Sequence, residues 1–357
     1  MNIQELTQIK NNFVTELEKG RDNGGSSLPF IRHQLATASI VEPNGIFQTL
    51  VIGGSFYQKA KMKKINGNIQ IIEHDQGPQP PFLSKQDLLT FIEGHIDPEV
   101  MVVALNFAYP MTPVSRNGIL DGTLQSGSKE NTFEGLVGQN VGEEIEKYMA
   151  EKHDRTIRVS AANDTICLLL SGLIHHEWDA ISAGIVGTGL NFAIFLDEHT
   201  TVNLESAAFS NFPQSEAGKE IDQQSAAPGD ALYEKEISGA YLYRHFNFEA
   251  KKRGLNVREI ESTKELDALI RDANPDISGL AREILRHSAE LVAAQIAGIL
   301  EFSKRDLVFI MQGSLYWKGN QYKETVEQLV TQLCPEYKAS YENVLHSDLF
   351  GAAKLVG

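Results

Sequence analysis

The apolar positions along the chain fall into alternating periods, and each period predicts an element. Leu6, Ile9, Phe13 and Leu17, with Ile3 ahead of them, recur every three or four residues, which predicts an amphipathic helix over 2–19. A polar, glycine-containing loop follows at 20–27. Over 46–65 the pattern is an apolar strand, a Gly53-Gly54 turn and a second strand that carries Lys59, Lys61 and Lys63 at period two. Those lysines fit a solvated strand face or a protected sheet edge. A third short strand is predicted at 68–73, a helix at 86–95 and a strand at 100–107. The stretch 110–135 is rich in Gly, Ser, Thr and Asn and reads as a long loop, a class that is often functional. Beyond it come a helix at 137–152, a strand at 156–161, a helix at 165–174 and strands at 180–186 and 191–197. Helices then dominate, at about 230–253, 263–271 and 276–303, before a strand at 307–313 and a helix at about 320–333. Strand–turn–strand units with interposed helices thus occur twice, which predicts two related α/β lobes, each with one glycine hairpin.

Composition narrows the function classes. With 42% apolar and 22% charged residues over 357 positions, the chain is long enough for two cores. No run of about 18 apolar residues occurs, so no membrane span is expected, and the first twenty residues carry no signal or transit pattern. A formal charge of −15 argues against nucleic acid or an anionic membrane as partner. Two cysteines, Cys167 and Cys334, make neither a disulfide framework nor a metal cluster, and point to a reducing cytoplasm.

Candidate chemistry starts at 159-VSAANDTICLLLSGL-173, where an acid sits between two apolar runs. A charge in apolar surroundings is paired, hydrogen-bonded or used. Asn163-Asp164 reads either as a helix N-cap or as a catalytic base at a strand-to-helix junction. Gly187-Thr188-Gly189 follows an apolar strand but lacks the third glycine and the helix of a dinucleotide site, since 190–197 continues as strand. A strand–GTG–strand hairpin suits backbone N–H groups that cradle a nucleotide phosphate; the alternative is a plain β-turn. Glu205 and Glu234 both follow turns. With Asp164 they could serve a glycosidase, accept from adjacent sugar hydroxyls, or lie on a solvated surface.

Taken together these segments resemble the hexokinases, of the sugar kinase, heat-shock protein and actin superfamily, nearly end to end. The opening 6-LTQIKNNFVTELEKG-20 resembles the family's N-terminal helix, and 51-VIGGS-55 falls where the family has its first phosphate hairpin, D-x-G-G-T. Segment 106-NFAYP-110 resembles T-F-S-F-P, Ser128-Lys129 falls on the sugar-loop Thr-Lys, and 163-NDT-165 is the catalytic N-D-T. Segment 184-GIVGTGLN-191 resembles the second phosphate hairpin, 203-NLESAAF-209 resembles N-T-E-W-G-A-F, and 228-PGDALYEKEISGAYL-242 is similar to P-G-x-x-x-F-E-K-M-I-S-G-x-Y-L. Segment 313-GSLY-316 resembles the adenosine element and 351-GAAKL-355 the terminal helix.

The resemblance implies two ribonuclease-H-like lobes of the actin-like ATPase fold with an interlobe cleft: 45–161 plus 343–357 as the small lobe, 1–44 plus 162–342 as the large one. It implies ATP, Mg2+ and a hexose as ligands, and transfer of a phosphoryl group to the sugar's 6-hydroxyl. Ser128, Lys129, Asn163, Asn191, Glu205 and Glu234 would hold the sugar, and Asp164 would take the hydroxyl proton. Gly53, Gly54, Ser55, Gly187, Thr188, Gly189, Gly313 and Ser314 would face the nucleotide. No residue is assigned as a direct metal ligand. The departures lie mainly on the nucleotide side. The Asp of the first hairpin is Val51, the Arg after it is Gln58, and the Asp of the adenosine element is Gln312; Lys59 or Lys61 could supply positive charge. The serine of S-F-P is Ala108, so one sugar contact is lost. The alternative to an active kinase is a catalytically weak or inactive sugar-binding sensor. Oligomeric state is not legible.

Overall fold

The computed structural model describes residues 1–127 and 130–357. In chain order the elements are α1 (Ile3–Arg21), β1 (Ile31–Gln34), β2 (Ile46–Ile52), β3 (Phe56–Ile65), β4 (Asn68–Pro78), α2 (Lys85–Glu93), β5 (Val102–Phe107), β6 (Met111–Arg116), β7 (Ile119–Leu124), α3 (Val141–His153), β8 (Arg158–Ala162) and α4 (Asp164–Ser171). There follow β9 (Ile181–Val186), β10 (Leu190–Asp197), β11 (Thr200–Asn203), α5 (Glu216–Gln223), α6 (Leu232–Ile237), α7 (Leu242–Lys252), α8 (Thr263–Leu269), α9 (Pro275–Ser303), β12 (Leu307–Gln312), α10 (Ser314–Lys318), α11 (Tyr322–Leu333), β13 (Ala339–Glu342) and α12 (Ser347–Ala353). The described residues form two compact units: Met1–Phe30, Gly184–Phe192 and Leu204–Glu342 in the first, Ile31–Ala183, Ala193–Asn203 and Asn343–Gly357 in the second.

The first unit is organised around α9, a helix of 29 residues buried along most of its length. Asn274 caps it by accepting from the Asp276 N–H, and Pro275 occupies its first turn, where no N–H is needed. Helices α1, α6, α7, α8 and α11 pack against it. Helix α1 turns Leu6, Ile9, Phe13 and Leu17 inward as its periodicity predicts, while Ile3 remains 43% exposed at its start. Strands β12 and β13 pair in parallel. The single helix expected over 230–253 is two, α6 and α7. Between them the Gly239 N–H donates to the Gly187 carbonyl at 2.8 Å and the Ala240 N–H to the Thr188 carbonyl at 3.3 Å, so tertiary bonds replace helical ones there.

The second unit is built on a five-stranded sheet, order β4-β3-β2-β5-β8. Leu50, Ile52, Val103, Leu105, Phe107, Val159 and Ala161 point to one face, into a core shared with residues of α2 and α3. The alternate residues face the other way, and there α12 packs on β2, β3, β5 and α4. The lysine strand β3 pairs with β2 on one side and β4 on the other, so it is an inner strand; of the two readings of its lysines, a solvated face or a protected edge, the edge is excluded. Lys61 bonds Asp97, at 3.3 Å, and Glu99. The expected loop at 110–135 contains a β6–β7 hairpin whose turn is Asn117-Gly118, both at positive φ. That dipeptide is the strongest short hairpin signal, and the polar composition around it concealed the strands.

Candidate active site

In the first unit, Asn191, Glu205, Glu234, the Gly187–Gly189 turn, Gly313 and Ser314 are all present. The turn closes with the Gly187 N–H on the Gly189 carbonyl at 3.0 Å. Glu234, at the start of α6, accepts from the Leu190 N–H at 2.9 Å, and a Cβ on Gly189 would lie 3.1 Å from that same carboxylate oxygen. Burial pushes the Glu234 carboxyl up from its ordinary value, and the charge of Glu205 adds to the rise. Glu205 itself is held at φ 48°, ψ 48°. A left-handed glutamate is uncommon, and such conformations gather at functional sites. The Asn191 side-chain oxygen accepts from the Phe192 N–H at 2.8 Å and the Ser206 N–H at 3.3 Å, which ties this residue to the segment that carries Glu205. Three of the predicted sugar residues therefore share one locality.

Next to the turn lies a cavity of about 490 Å3, lined by Gly187, Thr188, Gly239, Lys264, Ser314 and Lys318 among others. Beside two of its lining residues, Gly187 and Ser314, backbone packs on backbone. Gly313 has φ 111°, and a Cβ there would stand 2.1 Å from the Val186 carbonyl, so only glycine fits. Gly239, Lys264 and Lys318 were not singled out from sequence. The Gly239 role depends on a long-range backbone bond, and no local pattern separates the two lysines from other charged residues.

In the second unit, the capping question divides between neighbours. The Asn163 side chain is the N-cap of α4, accepting from the Ile166 N–H at 3.1 Å. Asp164 is the first helical residue, half-buried, and accepts from the Thr165 N–H at 2.8 Å. Burial raises its carboxyl above the ordinary value; the charge of Asp348 adds to this and the Thr165 hydrogen bonds oppose it. In the first hairpin the Gly53 carbonyl accepts from the Tyr109 hydroxyl at 2.7 Å and from Gln79 Nε2 at 2.6 Å, while Gly54 and Ser55 are exposed at its tip. Val51 is 8% exposed. The Ala108 N–H donates to the Ile52 carbonyl at 3.0 Å. Ser128 and Lys129 lie outside the described residues. The segment just after them is fixed, with the Phe82 N–H on the Asn131 side-chain oxygen at 2.8 Å and the Thr132 N–H on the Phe82 carbonyl at 3.0 Å.

Gln58 and Asn106 meet Asp348 on this unit, and the charge of Asp348 reaches Asp164. Gln58 Nε2 donates to the Asp348 carboxylate at 3.5 Å, and Asn106 Nδ2 to the Asp348 carbonyl at 3.4 Å. Asn106 appeared in the sequence only as the first residue of 106-NFAYP-110, and Asp348 left no signal beyond its place three residues before 351-GAAKL-355. Among the described residues no group of three or more His, Cys, Asp or Glu could hold a metal. Magnesium with a nucleotide needs only one or two carboxylates, the rest being water and phosphate. The oxygen donors of Asp164, Asp348 and Asn106 fit that demand.

Two hexokinase family models match the chain, one over residues 82–174 and the other over 182–248. Hexokinase-7 of Oryza sativa subsp. japonica is 25% identical over 397 residues, covering 88% of this chain and 84% of the relative. Hexokinase-1 of Arabidopsis thaliana is 24% identical, covering 97% and 86%. Among solved structures, the hexokinase from Schistosoma mansoni complexed with glucose superposes with a TM-score of 0.80 at 21% identity, covering all of this chain and 95% of that one. A putative N-acetylmannosamine kinase from Listeria monocytogenes gives 0.57 at 14% identity over 87% and 98%. The fold is the actin-like ATPase fold expected from the sequence.

Proposed function

We propose that this chain is a member of the hexokinase family and that it transfers the γ-phosphoryl of ATP to the 6-hydroxyl of a hexose such as glucose. The observation that carries the reading is the match to named hexokinases over 88% to 97% of the chain, with the N-D-T, G-T-G and two-glutamate segments inside the stretches that the family models match.

The chemistry follows from the residues. Phosphoryl transfer leaves a protein little covalent work; it positions the groups and neutralises charge. Asn191, Glu205 and Glu234 hold sugar hydroxyls, the carboxylates accepting strongly. Asp164 takes the 6-hydroxyl proton as the oxygen attacks phosphorus. Its raised proton affinity suits that task, because a base nearer the working pH is the better acceptor. The Gly187–Gly189 turn offers backbone N–H groups to the nucleotide phosphates, and the cavity beside it takes the nucleoside. Bound with ATP, magnesium would offset the negative charge of the phosphates. Two free, buried cysteines support a cytoplasmic setting.

The test is incubation with magnesium, labelled ATP and a panel of hexoses. Labelled sugar 6-phosphate supports the reading. Sugar binding without product points instead to the sensor alternative.

A further inference from the structure

The lost acid of the first phosphate hairpin leaves a place on the sheet, and the structure fills it from another element. Strand pairing sets Val51 opposite Gln58 on β3 and opposite Asn106 on β5, and Asn106 opposite Ala162 on β8. Residues directly opposite share a face, so Gln58, Val51, Asn106 and Ala162 form one row. It lies on the face covered by α12. The members of the row that flank Val51 both reach Asp348: Gln58 through its carboxylate, Asn106 through its carbonyl. Asp348 therefore stands over Val51, where a carboxylate would have risen from β2.

Helix α12 is fixed in that position. A Cβ on Gly351 would lie 1.7 Å from the Cys167 carbonyl, so α12 crosses α4 in backbone contact. The same α4 carries Asp164 at its first position. The charge of Asp348 is felt at both Asp164 and Cys167, so the two acids lie within electrostatic reach of each other.

A second observation points to a ligand here. Asn106 is 1% exposed, and its Oδ1 is buried with no hydrogen-bond partner. Buried acceptors are rarely left so. Its Nδ2 is already committed to Asp348, which leaves Oδ1 as an acceptor that wants a donor beside a carboxylate. A water bound to a cation supplies that donor. Lys59 and Lys61 do not serve this place: they pair opposite Leu50 and Gln48, on the other face of the sheet from Val51.

We infer that Asp348 is the carboxylate that holds the hydrated magnesium of the nucleotide, assisted by Asn106 Oδ1, in the place of the acid that Val51 replaces. The inference rests on the kinase reading above. It makes the change at Val51 a relocation of the carboxylate from β2 to α12, and this chain a working kinase in that respect.

The test uses Mn2+ as the probe. Its binding to the full chain with ADP and glucose is followed by electron paramagnetic resonance, and glucose binding is measured separately by thermal shift. Outer-shell partners contribute about 10–100-fold to metal affinity. Asp348→Asn, which keeps the shape and can still meet Gln58, is expected to weaken Mn2+ retention by about tenfold or more with the glucose shift intact. Adding Val51→Asp to that variant is expected to recover most of the loss. Should Asp348→Asn fold poorly, Asp348→Ser gives the same comparison. Unchanged Mn2+ affinity in a folded Asp348 variant overturns the inference and leaves the kinase reading standing. A parent protein that shows neither a glucose shift nor sugar phosphate overturns both.

Discussion

Asp164 shows how much a single residue's surroundings decide. A carboxyl whose affinity for its proton is raised by burial holds that proton to higher pH in the folded chain than in the unfolded one. Its contribution to stability is complete below the ordinary carboxyl value and is lost as pH rises through the raised one. At neutral pH the ionised group therefore weakens the fold, and Asp164→Asn removes that burden while it keeps an acceptor for the Thr165 N–H. The variant should melt higher than the parent at pH 7 and less distinctly so at pH 4, read by thermal denaturation. The same substitution should lower sugar phosphorylation by about a hundredfold or more, since an amide cannot take the proton, with glucose binding retained. Turnover equal to the parent's would return Asp164 to a structural role. From sequence, Asn163-Asp164 supported both a cap and a base; the dihedrals give the cap to Asn163. The like-charge neighbour Asp348 was illegible, because it lies on an element 184 positions further along the chain, by the numbering.

At the scale of elements, legibility followed periodicity. Helix α1 and the hairpin of β2 and β3 appear within a few residues of their expected limits because one face is apolar and the turn is glycine. The short strands β1, β11 and β13, four residues each, carry too little pattern to be read. The break between α6 and α7 is set by bonds to Gly187 and Thr188, which no local pattern encodes. The crossing of α12 on α4 is the element contact on which the candidate metal locality depends. Gly351→Ala places a methyl against a backbone carbonyl, which cannot swing aside, and overpacking costs about 1–3 kcal/mol or more. The expected result is a clear fall in melting temperature, with Mn2+ retention reduced more than glucose binding because α12 carries Asp348. A variant as stable as the parent would contradict the close crossing.

For the whole molecule, a ligand that binds only the folded chain stabilises it by mass action, about 2.7 kcal/mol at a hundredfold excess over its dissociation constant. Glucose without nucleotide should therefore raise the melting temperature, because the Glu234 carboxylate and the Asn191 side chain are positioned by backbone N–H groups of the protein itself. No shift with millimolar glucose, mannose or fructose would count against both the kinase and the sensor readings. The most direct test of the central claim is the product of one reaction: purified protein, magnesium, ATP and glucose, with glucose 6-phosphate followed in time. The account predicts steady formation at an ordinary kinase rate, on the order of 1–100 per second, lowered about a hundredfold or more by Asp164→Asn. Glucose that binds, shifts the melt and is never phosphorylated would contradict it.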